Sequence, residues 1–572
     1  MPIEQIRNML LIAFIAVSFL IWQAWQADYG PKPVPPAETP SATSAEDAPA
    51  PPGEASPTVT VTDLPQAPGA PAASAEPAPA APANGSTDTA TGAATIRVTT
   101  DMVIAEIATR GGTLNGLLLR KYPVAVDEPD EAFTLMSNTL PDLFTTETGL
   151  KGANGSEAPD HGTQYTSDAT TYTLGEGEDE LEVKLQWTDD KGLSVEKVYV
   201  FKRDSYTIDI KFNIRNETQS PWQGSVYGQF QRTEVAQEGG LFRTYTYTGG
   251  VYSTDESPYE KYKFEDMYDL DLQLDSRGGW VAMIQHYFAG AFVPSQELTN
   301  RMYSRVRKDL ATGPRYSIGV ITPITTIAPG GEGKLALTLY AGPKIQERLE
   351  KVAPNLERTV DYGWLWFIAE PLFWLLNKIH SFLGNWGWSI IVLTLLIKLA
   401  FFQLSAASYK SMARMRKMQP RITQIRERYG DDRQRMNQAM MELYKTEKIN
   451  PLGGCLPIVV QIPVFIALYW VLLESVELRQ APFIFWVKDL AVHDPFFVFP
   501  LAMGVTMFIQ QKLNPAPPDP MQAKIMMALP IVFTFLFLFF PAGLTVYWFV
   551  NNLLSIAQQW VITNKIVGKE KS

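Results

Sequence analysis

The sequence predicts a multi-domain protein: an α-helical polytopic membrane core, six transmembrane helices in all, joined to a large extracytoplasmic antiparallel β-sandwich. Three observations predict it. Residues 8–27 and most of 379–564 fall into apolar stretches of membrane-crossing length with almost no charge. Residues from about Ile96 to Ala341 instead alternate apolar and polar side chains with period two. Nine of the fourteen tryptophans lie after residue 360, although the mean hydropathy of -0.06 taken alone suggests a soluble protein. The resulting division is an N-terminal anchor (1–27), a linker (28–94), a β-domain (95–345) and an interfacial helical region (346–382). A membrane core (383–565) containing a helical hairpin (406–450) and a basic tail (566–572) complete the chain.

The first element, NMLLIAFIAVSFLIWQAWQA (Asn8–Ala27), carries no formal charge and matches a ~30 Å hydrocarbon core. A cleaved signal peptide is the alternative to a retained anchor. Arg7 is offset by Glu4, and cleavage after Ala27 or Ala24 would place a tryptophan where a small residue is needed; both features favour the anchor. Residues 28–94 hold fifteen prolines, eight acidic residues and one lysine. Lacking large apolar side chains, they cannot offset their own ordering entropy and read as a disordered tether.

The β-domain is read from LEVKLQW (Leu181–Trp187), from VYVF and YTIDIKFNIRN between Val198 and Asn216, and from KLALTLY (Lys334–Tyr340). Gly111-Gly112, Gly239-Gly240 and Gly330-Gly331 mark turns. The aromatic run TYTYTGGVY (Thr244–Tyr252) reads as sheet-face packing, with a binding cleft as the alternative. Only His161 and His286 supply imidazoles here, without a paired motif, so the domain reads as non-catalytic. With one cysteine, Cys455, no intrachain disulfide is possible and the domain must be stable through its core. The net charge of -11 is not a nucleic-acid binder's balance.

After Ile345 the pattern becomes helical. GWLWFIAEPLFWLLNKIH (Gly363–His380), interrupted at Glu370-Pro371, suits a helix lying in the outer interface. Spans two to four are read over Ser389–Lys410, Ile449–Leu473 and Pro495–Gln511. Ile525–Asn564 runs forty residues without a charge, about 60 Å as helix, so Pro541-Ala542-Gly543 is read as the break between spans five and six. Lys410–Lys448 holds eleven basic and five acidic residues. The positive-inside rule places it in the cytoplasm, and with it both termini. Met415, Met418, Ile422, Ile425 and Tyr429 form one apolar stripe, Gly430-Asp431-Asp432 a turn, and Met436, Met440 and Leu443 the returning stripe of a hairpin. Its charges are either solvated and topology-setting or meet anionic lipid or ribosomal RNA; both readings can hold together.

Lys398 is the one formal charge between Ile379 and Tyr409. A lysine in a membrane interior costs roughly 2.5–3.5 kcal/mol on insertion scales. Read as one straight helix, the segment puts Lys398 about 15 Å from either boundary, beyond easy snorkelling. No other span offers an acidic partner. A neutral lysine stays open. The reading favoured is a water-filled cavity, which the polar residues Thr394, Gln461, Asn551, Ser555 and Gln558 would line, with Asn552 and Gln559 beside them. A transporter could use such a pocket, but the sequence shows no internal repeat, no acidic residue within a span and no nucleotide-binding loop.

MARMRKMQPRI (Met412–Ile422), MMELYKTEKINPLGGCLPIVVQIPVFIALYWVL (Met440–Leu472), SVELRQAPF (Ser475–Phe483), DPMQAKIM (Asp519–Met526) and FPAGLTVYW (Phe540–Trp548) together resemble the YidC/Oxa/Alb family of membrane-protein insertases. The likeness covers about residues 360–565, and the amino-terminal part is similar to the Gram-negative form, whose periplasmic domain is a mutarotase-like supersandwich. The resemblance implies insertion and folding of nascent inner-membrane proteins, alone or with the Sec translocon, by a non-enzyme with no cofactor, no metal and no small-molecule substrate. It implies a groove in which Lys398 stands where the family usually has arginine; the charge is kept and the bidentate fork lost. It further implies client-helix contacts at Leu456, Pro457, Pro463, Phe465, Pro530 and Leu536, with paired aromatics Tyr547 and Trp548. The hairpin residues Arg414, Arg416, Lys417, Arg421 and Arg426 would meet the ribosome or signal-recognition components. The implied setting is the bacterial inner membrane, with Sec accessory subunits and the lipid bilayer as further partners. The rival readings are a transporter and an anchored periplasmic carbohydrate-binding protein.

Overall fold

The computed structural model describes residues 94–235, 246–430, 432–447, 456–514 and 520–562. The expected anchor, nearly all of the linker, the Gly239-Gly240 turn and the basic tail lie outside them. Among the described residues the β-domain forms three sheets of five, six and eight strands. Every neighbouring pair is antiparallel except Arg97–Thr99 against Thr171–Thr173, so the expected antiparallel sandwich carries one parallel edge. The alternating segments all fold as strands: Glu180–Thr188, Leu193–Lys202, Thr207–Asn216 and Gly331–Pro343 are consecutive neighbours in the eight-stranded sheet. Period two puts Leu193, Val195, Tyr199 and Phe201 on the inward face, and Lys197 falls in the same register.

Lys197 is therefore a buried ammonium. It donates to the carbonyls of Gly111 (2.8 Å), Gly112 (2.9 Å) and Thr148 (2.9 Å), and the rings of Tyr165, Tyr199 and Phe212 lie 5.4–5.8 Å away. Burial pushes its pKa down, while the carbonyls and ring faces favour the charged form. His161 is likewise structural: the Tyr227 hydroxyl accepts from its backbone N–H (3.1 Å) and pairs with its Nδ1 (2.6 Å).

Among the described residues ten α-helices form, in chain order: α1 (Phe264–Asp269) and α2 (Gln346–Val352) beside the sheets, then α3 (Trp366–Leu383), α4 (Trp386–Ala400) and α5 (Phe402–Tyr429). After these come α6 (Arg433–Thr446), α7 (Leu456–Glu474), α8 (Val498–Leu513), α9 (Pro520–Phe537) and α10 (Ala542–Val561). The α3 helix runs through Pro371 without ending. It stops at Gly384, whose φ of 65° is the left-handed conformation glycine adopts without a Cβ clash. Asn385 then caps α4 by accepting from the Trp388 N–H. The expected hairpin forms: α5 and α6 pack together, Asp432 caps α6, and Met415, Met418, Met436 and Met440 are buried or half-buried.

The straight span expected around Lys398 is not observed. The chain bends 67° between α4 and α5, at Phe401, so Lys398 lies in the last turn of a fifteen-residue helix, just before the bend. Among the described residues no single helix is long and apolar enough to cross a membrane, whereas the bent α4–α5 pair is. Large apolar side chains nevertheless stand exposed along the outward faces, among them Val505 and Phe508 on α8, Ile531 and Phe535 on α9, and Leu553 and Trp560 on α10. Such contiguous patches mark a membrane or partner surface.

The two domains meet at the end of α7. His286 Nε2 donates to the Leu473 carbonyl (2.9 Å), the Tyr362 and Ser475 hydroxyls pair (3.3 Å), and Arg479 donates to the carbonyls of Pro123 (2.7 Å) and Val124 (3.1 Å). Lys344 and Glu474 form an ion pair (3.4 Å) with side chains only 2% and 7% exposed, and Lys344 also donates to the Thr359 carbonyl (3.0 Å). Burial, with the Lys344 ammonium second, pushes the His286 imidazole down to about 3. An unfolded histidine titrates near ~6.5. As pH falls the unfolded chain takes the proton first, so the His286 contribution to stability shrinks from about pH 6.5 downward, by roughly a few kcal/mol at most. The unfolding temperature of the detergent-solubilised protein is expected to drop more steeply between neutral and acid pH for the native chain than for His286→Gln, which keeps a donor but cannot titrate. Parallel pH profiles would contradict this role.

Candidate functional site: a polar pocket at a helix bend

Polar side chains converge where α4 bends into α5 and meets α7 and α10. Lys398 Nζ donates to Ser555 Oγ (2.8 Å), and Ser555 Oγ donates to the Asn551 carbonyl (2.7 Å). Gln461 Nε2, from α7, donates to Asn551 Oδ1 (2.6 Å), and Gln558 Nε2 donates to the Phe402 carbonyl (3.2 Å). Spacings of three and four along α10 put Asn551, Ser555 and Gln558 on one face, which turns toward the bend. Neither glycine nor proline lies at the bend; Gln558 meets the carbonyl of Phe402, the first residue of α5, beside it. Among the described residues no carboxylate lies within ion-pair reach of Lys398.

Five of the six expected groove residues are thus brought together. Thr394 is the exception: it is buried one turn before Lys398, and its hydroxyl donates to the Ile390 carbonyl of its own helix (2.6 Å). Asn552 and Gln559 turn away from the pocket. They donate to Thr506 Oγ1 (3.4 Å) and Asn514 Oδ1 (3.3 Å), fixing α10 against α8. Tyr409 was not expected in the site, yet it is a buried neighbour of Ser555 across the bend. Its distance from Lys398 in a straight helix would hide this.

The expected client-contact positions divide. Phe465 meets Trp548 edge-on (4.4 Å) and Tyr547 in a stack (6.2 Å), and Trp548 packs on Phe533 and Phe537, so an aromatic cluster joins α7, α9 and α10. Pro463, Phe465, Leu536 and Trp548 are partly open, while Tyr547 is fully buried. Pro530 is also buried, since α9 turns this face onto α8; it offers no surface, and its neighbours Leu529 and Ile531 are exposed in its place. The side chains of Leu456 and Pro457 lie outside the described residues. On the hairpin Arg414, Arg416, Lys417 and Arg421 are exposed and Arg426 is half-buried; Arg421 pairs with Glu447. In the β-domain a cavity of about 660 Å³ is lined by Arg232, Phe144, Gln285 and Glu234, among others, and neither His161 nor His286 reaches it.

With the geometry in place, comparison with known proteins identifies relatives. Two family models match, one described as the YidC periplasmic domain over residues 95–375 and one as 60Kd inner membrane protein over residues 378–570. A protein of Nitrosococcus oceani named membrane protein insertase YidC is 50% identical over 567 residues, 98% of this chain and 99% of the relative. One of the same name from Stutzerimonas stutzeri is 48% identical over 99% of each chain. Among solved structures, a crystal structure of an active YidC insertase with its first transmembrane domain resolved is 18% identical, with a TM-score of 0.36, over 82% of this chain and 92% of that one. A galactose mutarotase-like protein from Lactobacillus casei is 8% identical, with a TM-score of 0.31, over 43% of this chain and 99% of its own. Those two scores are too low to carry weight beside the sequence matches.

Proposed function

The chain belongs to the YidC family of membrane protein insertases, an inner-membrane family with a periplasmic domain, and from that premise we propose that the pocket at the α4–α5 bend receives the polar tail of a nascent membrane protein. The observation that carries the proposal is Lys398: an ammonium with a serine for its neighbour and, among the described residues, no carboxylate in reach, set in a ring of amide and hydroxyl groups. Such a site attracts an acidic tail and replaces part of its hydration. The apolar segment of the client then leaves along α7 and α9, where burial in lipid supplies the driving force. No covalent step is needed, in keeping with relatives named insertases and not enzymes.

Six spans with both termini in the cytoplasm fit the basic hairpin, whose exposed arginines suit an anionic partner such as ribosomal RNA or a signal-recognition component. The Sec translocon and its accessory subunits are proposed as lateral partners at the exposed helix faces.

Photocrosslinking tests the client path. A crosslinking side chain at Ile462 or Phe465 is expected to capture the apolar segment of a stalled nascent membrane protein, and one at buried Pro530 to capture little. Strong capture from Pro530 with none from Ile462 or Phe465 would reverse the assignment of the path.

A further inference from the structure

The loop between α7 and α8 takes no part in the pocket, yet it is tightly built. At its centre Asp494, 0% exposed, accepts from the Trp486 indole N–H (2.9 Å), the Phe496 N–H (3.1 Å) and the Phe499 N–H (2.9 Å). On one side Asn385 Nδ2 donates to the carbonyls of Pro482 (3.1 Å) and Phe483 (3.2 Å), and the ring of Phe483 leaves no room for a side chain at Gly387. On the other side the N–H groups of Ala542 and Gly543, at the start of α10, donate to the carbonyls of Val492 (2.7 Å) and Leu490 (2.9 Å). The loop is thereby held across the ends of α4, α8 and α10.

A loop framed this firmly nevertheless presents Phe485 at 86% and Phe496 at 65% exposure. Phe485 (φ 50°) and the neighbouring Phe497 (φ 56°) occupy the left-handed region, unfavourable for a bulky residue unless its surroundings or its function hold it there. Phe485 stacks on Trp486 (5.8 Å), which meets Phe496 edge-on (6.1 Å). The patch continues into α8, where Val498, Leu501, Val505 and Phe508 stand exposed at spacings of three and four. No charged residue interrupts the sequence from Pro495 to Gln511.

We propose that Phe485 and Phe496 form a lipid-seated wedge, entering the boundary between headgroups and acyl chains of the outer leaflet beside α8. This rests on reading α8 as a membrane span. Phospholipid is the occupant the surface fits, because the patch is the upper end of a stripe whose natural neighbours are acyl chains, and because aromatic rings favour that boundary. Through its ties to Asn385, Ala542 and Gly543, a seated loop fixes the outer ends of α4, α8 and α10 relative to the bilayer surface.

The test uses the full chain with Cys455→Ser, reconstituted in phosphatidylcholine vesicles. Nitroxide labels are placed one at a time at Phe485→Cys, at Phe496→Cys as an independent second site, and at Val505→Cys to report on the span. Power saturation with oxygen and with a water-soluble nickel chelate is expected to show oxygen as the stronger relaxant at all three. Nickel dominating at positions 485 and 496 with oxygen still dominant at 505 overturns the wedge and leaves the span intact. Labels at 485 and 496 reached by neither relaxant indicate a protein contact and overturn it equally. Nickel dominating at all three overturns the span reading and the wedge with it.

Discussion

Lys398→Glu is expected to abolish insertion of clients with acidic tails, whereas Lys398→Arg retains it. In the native pocket the ammonium donates to Ser555 at 2.8 Å, with the amides of Gln461 and Gln558 nearby and, among the described residues, no carboxylate in ion-pair reach. A carboxylate in its place turns attraction for the tail into repulsion. Unit charges about 4 Å apart interact by roughly 4 kcal/mol at an effective dielectric of about 20, and each ~1.4 kcal/mol in a barrier is a factor of ten in rate. A loss of at least about tenfold follows, even if most of the interaction is screened by water. Arginine keeps the charge and adds a fork for a carboxylate. Complementation of insertase-depleted cells and insertion into proteoliposomes both report the effect. Equal activity of the Glu and Arg variants would remove charge from the mechanism.

Breaking the Lys344–Glu474 pair is expected to have the largest effect on stability. Both side chains are almost fully enclosed between the last strand of the β-domain and the end of α7. Lys344→Met leaves the Glu474 carboxylate buried without the cation it bonds, and Glu474→Leu leaves the Lys344 ammonium with the Thr359 carbonyl and the more distant Asp361 carboxylate. Removing one partner of a buried pair typically costs about 3–5 kcal/mol, whereas replacing both by apolar groups is often neutral. Each single variant should therefore unfold at a clearly lower temperature, and the double variant Lys344→Met with Glu474→Leu should recover most of the loss. Additive losses in the double variant would show that the pair is not coupled.

The local features of the fold were legible because local rules produce them. Alternation in Leu181–Trp187 and Thr207–Asn216 marked strands, Pro541 marked the break between α9 and α10, and Gly430 with Asp432 marked the hairpin turn. The features that escaped depend on distant partners. Nothing in LIKLAFFQLS (Leu396–Ser405) breaks a helix, yet the chain bends at Phe401, and Gln558, 156 residues away, meets the Phe402 carbonyl beside the bend. His286 finds Leu473 across 187 residues. Lys197 sits in an inward register that alternation would assign to an apolar side chain, and three carbonyls make that placement tolerable. In the pocket, helical spacing correctly grouped Asn551, Ser555 and Gln558. The same spacing could not show that Thr394 bonds its own backbone or that Pro530 faces α8.

The most direct measurement of the central claim is a charge exchange between pocket and client. A client whose acidic tail residues are replaced by lysine is paired with the Lys398→Glu chain in proteoliposomes, beside the native pairing and the two mismatched ones. The account predicts efficient insertion for both opposite-charge pairings and poor insertion for both like-charge pairings. Insertion that depends on the tail alone, with the residue at position 398 making no difference, would contradict it.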